Sequence, residues 1–212
     1  FGSKIKEPPK KGKVSNIRII FTDGEELGEC GVKDQGAYSL AEIFKRTGNI
    51  DTDVFVFDSI GRGTTPVLAR AGLSAITATK ANSSFVKNLA ALFDRTQNIL
   101  KKVSPQNWMT LPVPYSDNAG FLACGIPAVA ITMLPKEEAS LYYMELMKDK
   151  NLEKAVMNAK LDEDADFKFK YQEKMPKTWR LFHTPYDNFL SLSPDSFEII
   201  EKVLDELLIL YV

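Results

Sequence analysis

The sequence is poor in the side chains that most often bind metals through nitrogen or sulfur: one histidine, His183, and two cysteines in 212 residues. Cys30 and Cys124 are too few for a disulfide framework and lack the paired spacing of a thiolate metal site. Both read as packed or incidental thiols, although Cys30 lies close behind Glu26. Charge of either sign is not in excess: 27 Lys and Arg stand against 28 Asp and Glu. That balance excludes the basic footprint of a nucleic-acid or anionic-membrane surface. No apolar run approaches the ~18 residues needed to cross a bilayer, so no membrane helix is expected. What remains, 44% hydrophobic and 26% charged residues, is the composition of one globular domain with a substantial core. The chain opens on Phe-Gly-Ser rather than methionine, which fits a processed product or part of something longer.

Residues 1–16 are rich in Lys, Pro and Gly and read as a surface connector. The β-branched and aromatic run Ile17–Phe21 predicts a short strand buried on both faces. Ser39–Arg46 predicts a short helix, Val54–Phe57 a second buried strand, and Leu73–Thr79 a third. Over Asn82–Val103, Phe85, Leu89, Leu92, Phe93, Ile99, Leu100 and Val103 fall near helical spacing, with Lys and Arg filling much of the remainder. Met109–Val113 and Ala128–Met133 read as further strands. The last helix has a start signal, Ser193 as N-cap and Pro194 at the first helical position. Strands alternating with helices predict one domain over 1–212, an α/β sandwich around a largely parallel sheet. Residues 136–180, with the acidic cluster Asp162–Asp166, read as a charged helical excursion on the surface, a flap or a solvated insertion.

Ligands of open α/β sheets bind beyond the carboxyl ends of strands. Asp23-Gly24-Glu25-Glu26 follows one expected strand, Asp58 another, and Asp117-Asn118 a third; His183 sits in a loop before the final helix. Three such loops and the single histidine are therefore expected to converge on one edge. Oxygen and imidazole donors without thiolate suit a catalytic zinc, with manganese or cobalt as substitutes. Each residue alone has a commoner role, since a strand-terminal Asp more often caps a turn than binds a metal. The combination carries the reading.

Four elements in order, Ile-Ile-Phe-Thr-Asp-Gly-Glu25-Glu26-Leu-Gly, Val-Phe-Asp58-Ser-Ile-Gly, Ser116-Asp117-Asn-Ala-Gly-Phe-Leu-Ala-Cys-Gly-Ile-Pro-Ala-Val and Phe182-His183-Thr-Pro-Tyr-Asp187, resemble the motifs of the co-catalytic zinc aminopeptidases, family twenty-eight among the metallopeptidases. The resemblance covers residues 17–212. It implies a three-layer α/β/α sandwich around a mixed, largely parallel sheet, two zinc ions, and hydrolysis of N-terminal residues from peptide substrates. By the same resemblance Glu25 would be the general base on a metal-bound water, and Glu26 and His183 would hold one zinc. Asp58 would hold the other. Asp187 would support the His183 loop, and Tyr115 and Asp117 are candidates for oxyanion or supporting roles.

The departures from the family pattern matter too. Relatives carry a His-x-Asp element and a bridging aspartate upstream of the Glu-Glu turn, and often a histidine where Asn118 stands. The resemblance therefore implies a domain lacking its N-terminal strands, completed by an upstream segment or a companion chain and inactive alone. Two rivals stand beside the aminopeptidase: a glutaminyl-cyclase-like acyltransferase with one zinc, and a non-catalytic binding module on the same fold.

Overall fold

The structure is a computed structural model that describes residues 16–25, 29–73, 83–157 and 165–211. The first helix, α1 (Gly36–Arg46), is followed by strands β1 (Val54–Phe57) and β2 (Thr65–Ala69). Helix α2 (Ser84–Val103), strand β3 (Met109–Leu111), the short helix α3 (Asn118–Ala123) and strand β4 (Ala128–Leu134) come next. Five α-helices follow among the described residues: α4 (Lys136–Lys148), α5 (Asn151–Met157), α6 (Ala165–Gln172), α7 (Lys177–Arg180) and α8 (Pro194–Tyr211).

The four strands form one sheet in the order β1-β4-β2-β3. β1 runs parallel to β4 and β2 parallel to β3, while β2 and β4 are antiparallel. β2 and β4 are buried at every residue, as central strands between two helical layers must be. Pro66 is tolerated in this central position for a specific reason. Its partner Met133 gives its N–H to Ser59 O, away from β2, so Pro66–Met133 is a non-hydrogen-bonded pair and the missing donor costs no ladder bond.

Period-two alternation sends Leu68, Val129, Ile131 and Met133 to one face, where they meet Leu92, Leu100, Ile200, Val203 and Leu207 of α2 and α8. The other face is shared. Ala128 packs with Ala37 and Ala41 of α1 and Phe121 of α3. Val67, Leu111 and Leu134 pack with Ala139, Tyr142 and Leu146 of α4, Leu152 and Val156 of α5, Tyr171 and Trp179. The result is a three-layer α/β/α sandwich around a mixed sheet.

Several expectations need correction. Ile17–Phe21 forms no strand, and Phe21 is 94% exposed, because no ladder among the described residues takes this segment. β1 is a strand as expected but only half-buried, since it pairs on one side alone among the described residues. The strand expected over Leu73–Thr79 lies, from residue 74 on, outside the described residues, and the sheet contains a strand at Thr65–Ala69 that was not expected. The stretch 136–180 does more than carry solvated charge. Its Tyr142, Leu146, Leu152, Val156, Tyr171 and Trp179 cover one half of a sheet face. Between Tyr142 and Trp179 the rings meet edge to face at 5.1 Å, a geometry favoured by aromatic quadrupoles.

Candidate active site around Glu25

The sheet topology does not deliver three strand ends to one edge. Since β2 and β3 run against β1 and β4, Asp58 leaves the sheet at one edge and the chain following β3 leaves at the other. The Asp117 loop reaches the Glu25 turn by a different route, through the first turn of α3.

That turn is tied at three points. The Thr22 hydroxyl donates to the Asp117 carboxylate. Gly36 N–H donates to Gly24 O at 2.9 Å, and Gln35 Nε2 donates to Glu25 O at 2.6 Å. Gly24 takes φ +68°, a conformation that glycine enters without steric cost. Gly36 is required for another reason: a Cβ there would lie 2.3 Å from Asp23 O. Gly120 similarly lets α3 close on α1, because a Cβ would meet Tyr38 N at 2.7 Å. Glu25 thus lies half-buried at the junction of the first turns of α1 and α3.

The polar groups beneath the turn are buried and incompletely paired. Gln35 is 0% exposed, Asn118 3%, Ser116 4% and Asp117 7%. Gln35 Oε1, Ser116 Oγ, Asp117 Oδ1 and Asn118 Nδ2 find no hydrogen-bond partner among the described residues. Leaving such a group unmet costs on the order of 1–3 kcal/mol, so buried polar atoms without partners are uncommon in folded proteins. Thr22 and Gln35 are site residues that sequence reasoning missed. Gln35 stands where Ser, Thr, Asp or Asn usually begins a helix, and nothing in the sequence marks it as a partner of the turn.

Asp58 and His183 lie on two other loops. Asp58 N–H continues the β1–β4 ladder by donating to Ile131 O at 3.1 Å, and its Oδ1 accepts from the Ser59 hydroxyl at 3.2 Å. Ser59 N-terminal to this loop and His183 are the two non-glycine residues with positive φ among the described residues, at 52° and 59°. Non-glycine residues are held in this region only where surrounding structure over-determines them, often at functional sites. His183 follows α7, on a turn in which Thr184 Oγ1 donates to Leu181 O at 2.6 Å and Asp187 N–H to Thr184 O at 3.0 Å. The start of α8 folds back on the Asp58 loop, with Ser193 N–H donating to Gly61 O at 2.8 Å. Leu192 and Phe197 pack over Gly61.

Glu26 lies outside the described residues. Among the described residues no three of His, Cys, Asp and Glu gather closely enough to hold a metal ion. Asp58 and His183 have the donor chemistry for zinc, but the described residues do not make a metal centre by themselves. Tyr115 is exposed in the segment before Ser116, and Asp187 is exposed on the His183 turn. Cys30 is exposed and Cys124 buried. Burial, together with the Glu42 carboxylate it hydrogen-bonds, pushes the Cys124 thiol up to about 11, which leaves it unreactive at neutral pH.

A family model, Peptidase family M28, matches residues 4–208. The chain belongs to peptidase family M28. As a member of a family of peptidases that are generally zinc-dependent, it is a hydrolase in general class, and its α/β fold is the family's. No curated protein and no solved structure matches it.

Proposed function

We propose that this M28 chain is a metallo-aminopeptidase that removes N-terminal residues from peptides, with Glu25 as the general base. The observation that carries the reading is the fixation of the Glu25 turn between α1 and α3 in a chain that matches the family over 4–208. A general base must be held within hydrogen-bond reach of the water it activates, and a loop carbonyl anchored at 2.6 Å restricts where its side chain can swing. In this role Glu25 accepts the proton of the attacking water and returns it to the leaving amine.

Glu26 and His183 would hold one zinc ion and Asp58 a second, with Asp187 steadying the His183 turn and Tyr115 facing the developing oxyanion. Asp117 supports the Glu25 turn through Thr22. His183 is the single histidine of the sequence, and a catalytic zinc generally takes three protein ligands. The remaining ligand set would therefore come from an upstream segment or a companion chain of the same protein. The same scarcity favours a second reading, a one-zinc acyltransferase resembling glutaminyl cyclases.

Product analysis separates these readings. The chain, supplied with its upstream segment and zinc, is incubated with peptides that begin with leucine or glutamine. Release of the free N-terminal amino acid is expected. Pyroglutamate from the glutamine peptide would assign the acyltransferase, and zinc retained with neither product would assign a binding module.

A further inference from the structure

We infer that Thr22 and Gln35 are positioning residues, a two-point clamp that sets the Glu25 turn against the first turns of α1 and α3. The inference rests on the reading of Glu25 as general base, but its geometry does not. Two hydrogen bonds hold the four-residue turn Thr22–Glu25 at its opposite ends: the Thr22 hydroxyl donates to Asp117, and Gln35, which caps α1, donates to the Glu25 carbonyl. Gly36 N–H on Gly24 O sits between them.

The groups these two bonds engage are buried. Gln35 is fully buried, yet its Oε1 has no partner among the described residues, and Asp117 is buried with one oxygen in the same condition. A buried side-chain amide is unfavourable unless it is hydrogen-bonded. Here its Nε2 is spent on the carbonyl of the candidate base. Ile19 and Ile20 are about half exposed and Phe21 almost fully, so these three side chains add little packing to the turn.

The clamp makes a prediction separable from catalysis. Thr22 is exposed, so Thr22→Val removes its hydroxyl at nearly constant shape without endangering the core, and Thr22→Ser restores it. Hydrogen–deuterium exchange at the Gly36 amide, which donates to Gly24 O, reads the clamp directly on the chain as it exists. Thr22→Val is expected to speed that exchange about 2- to 10-fold, the equivalent of one hydrogen bond, with Thr22→Ser returning it to the parent rate. In the zinc-loaded complete protein, kcat should fall on the order of tenfold with KM changed little, because the base is displaced rather than the substrate. Unchanged Gly36 exchange in Thr22→Val overturns the clamp. Faster exchange with kcat and KM unaltered overturns the positioning role. Glu25→Gln run beside it keeps the two ideas apart: full activity in that variant defeats the general base, whatever Thr22 does.

Discussion

On one face of the sheet, α2 and α8 close over Leu68, Ile131 and Met133, and their main polar cluster is shared: Arg95 and the Tyr211 hydroxyl both donate to Asp53 Oδ2 at 2.6 Å. On the other, α1 and α3 meet over Ala37, Ala41 and Phe121, but four of the eight buried side-chain atoms without partners among the described residues lie at Gln35 and Ser116–Asn118. The first face holds one such atom on its helices, Arg95 Nε, in a cluster otherwise paired through Asp53. The second gathers four of them, unpartnered among the described residues, beside a turn that carries a carboxylate. Local rules are broken in native proteins chiefly where function requires it, and here the break coincides with the turn that the family motif singles out.

The comparison can be broken from the larger effect downward. Leu100 is fully buried in the α2–α8 layer, and Leu100→Ala should cost about 2–5 kcal/mol of global stability by urea unfolding. Exchange at the Gly36 amide should stay at its parent rate, because that turn opens locally. If Gly36 exchange rises in step with the global loss, the two faces are one cooperative unit and the contrast between them fails.

A smaller effect concerns the Tyr211 end of α8. Burial, then the hydrogen bond to Asp53, push the Tyr211 phenol up to about 12 from an ordinary 10.0. The fold therefore favours the neutral phenol. That contribution is complete below pH 10 and is lost as pH rises through about 12. Tyr211→Phe should flatten this part of the stability–pH curve in urea titrations, while parent and variant curves of the same slope across that window would show that the Asp53 cluster does not hold α8.

What could be read in the sequence followed the range of the interactions involved. The layer of α2 and α8 was legible because Leu89, Leu92, Phe93, Leu100, Val203 and Leu207 repeat at helical spacing, which no distant contact has to supply. Ile17–Phe21 has the composition of a strand, but a strand exists only with a neighbour, and none among the described residues pairs with it. β2 was hidden by Pro66, a strand breaker that the register of β4 renders harmless. Glu25 was visible as part of a motif. Its holders were not, since Gln35 is 10 residues away from its partner and Asp117 is 95 from Thr22. The buried aromatics of 136–180 are hidden in the sequence by the charge around them, because the Lys, Glu and Asp of these helices describe only their outward side.

Glu25 is the residue on which the functional account turns, and one rate comparison tests it most directly. The complete protein, with its upstream segment and zinc, is assayed on an aminoacyl-p-nitroanilide as wild type and as Glu25→Gln, with matched unfolding curves. Loss of a positioned general base predicts kcat lower by about 10²- to 10⁴-fold in the variant at unchanged stability. Equal rates from the two proteins would contradict the assignment of Glu25.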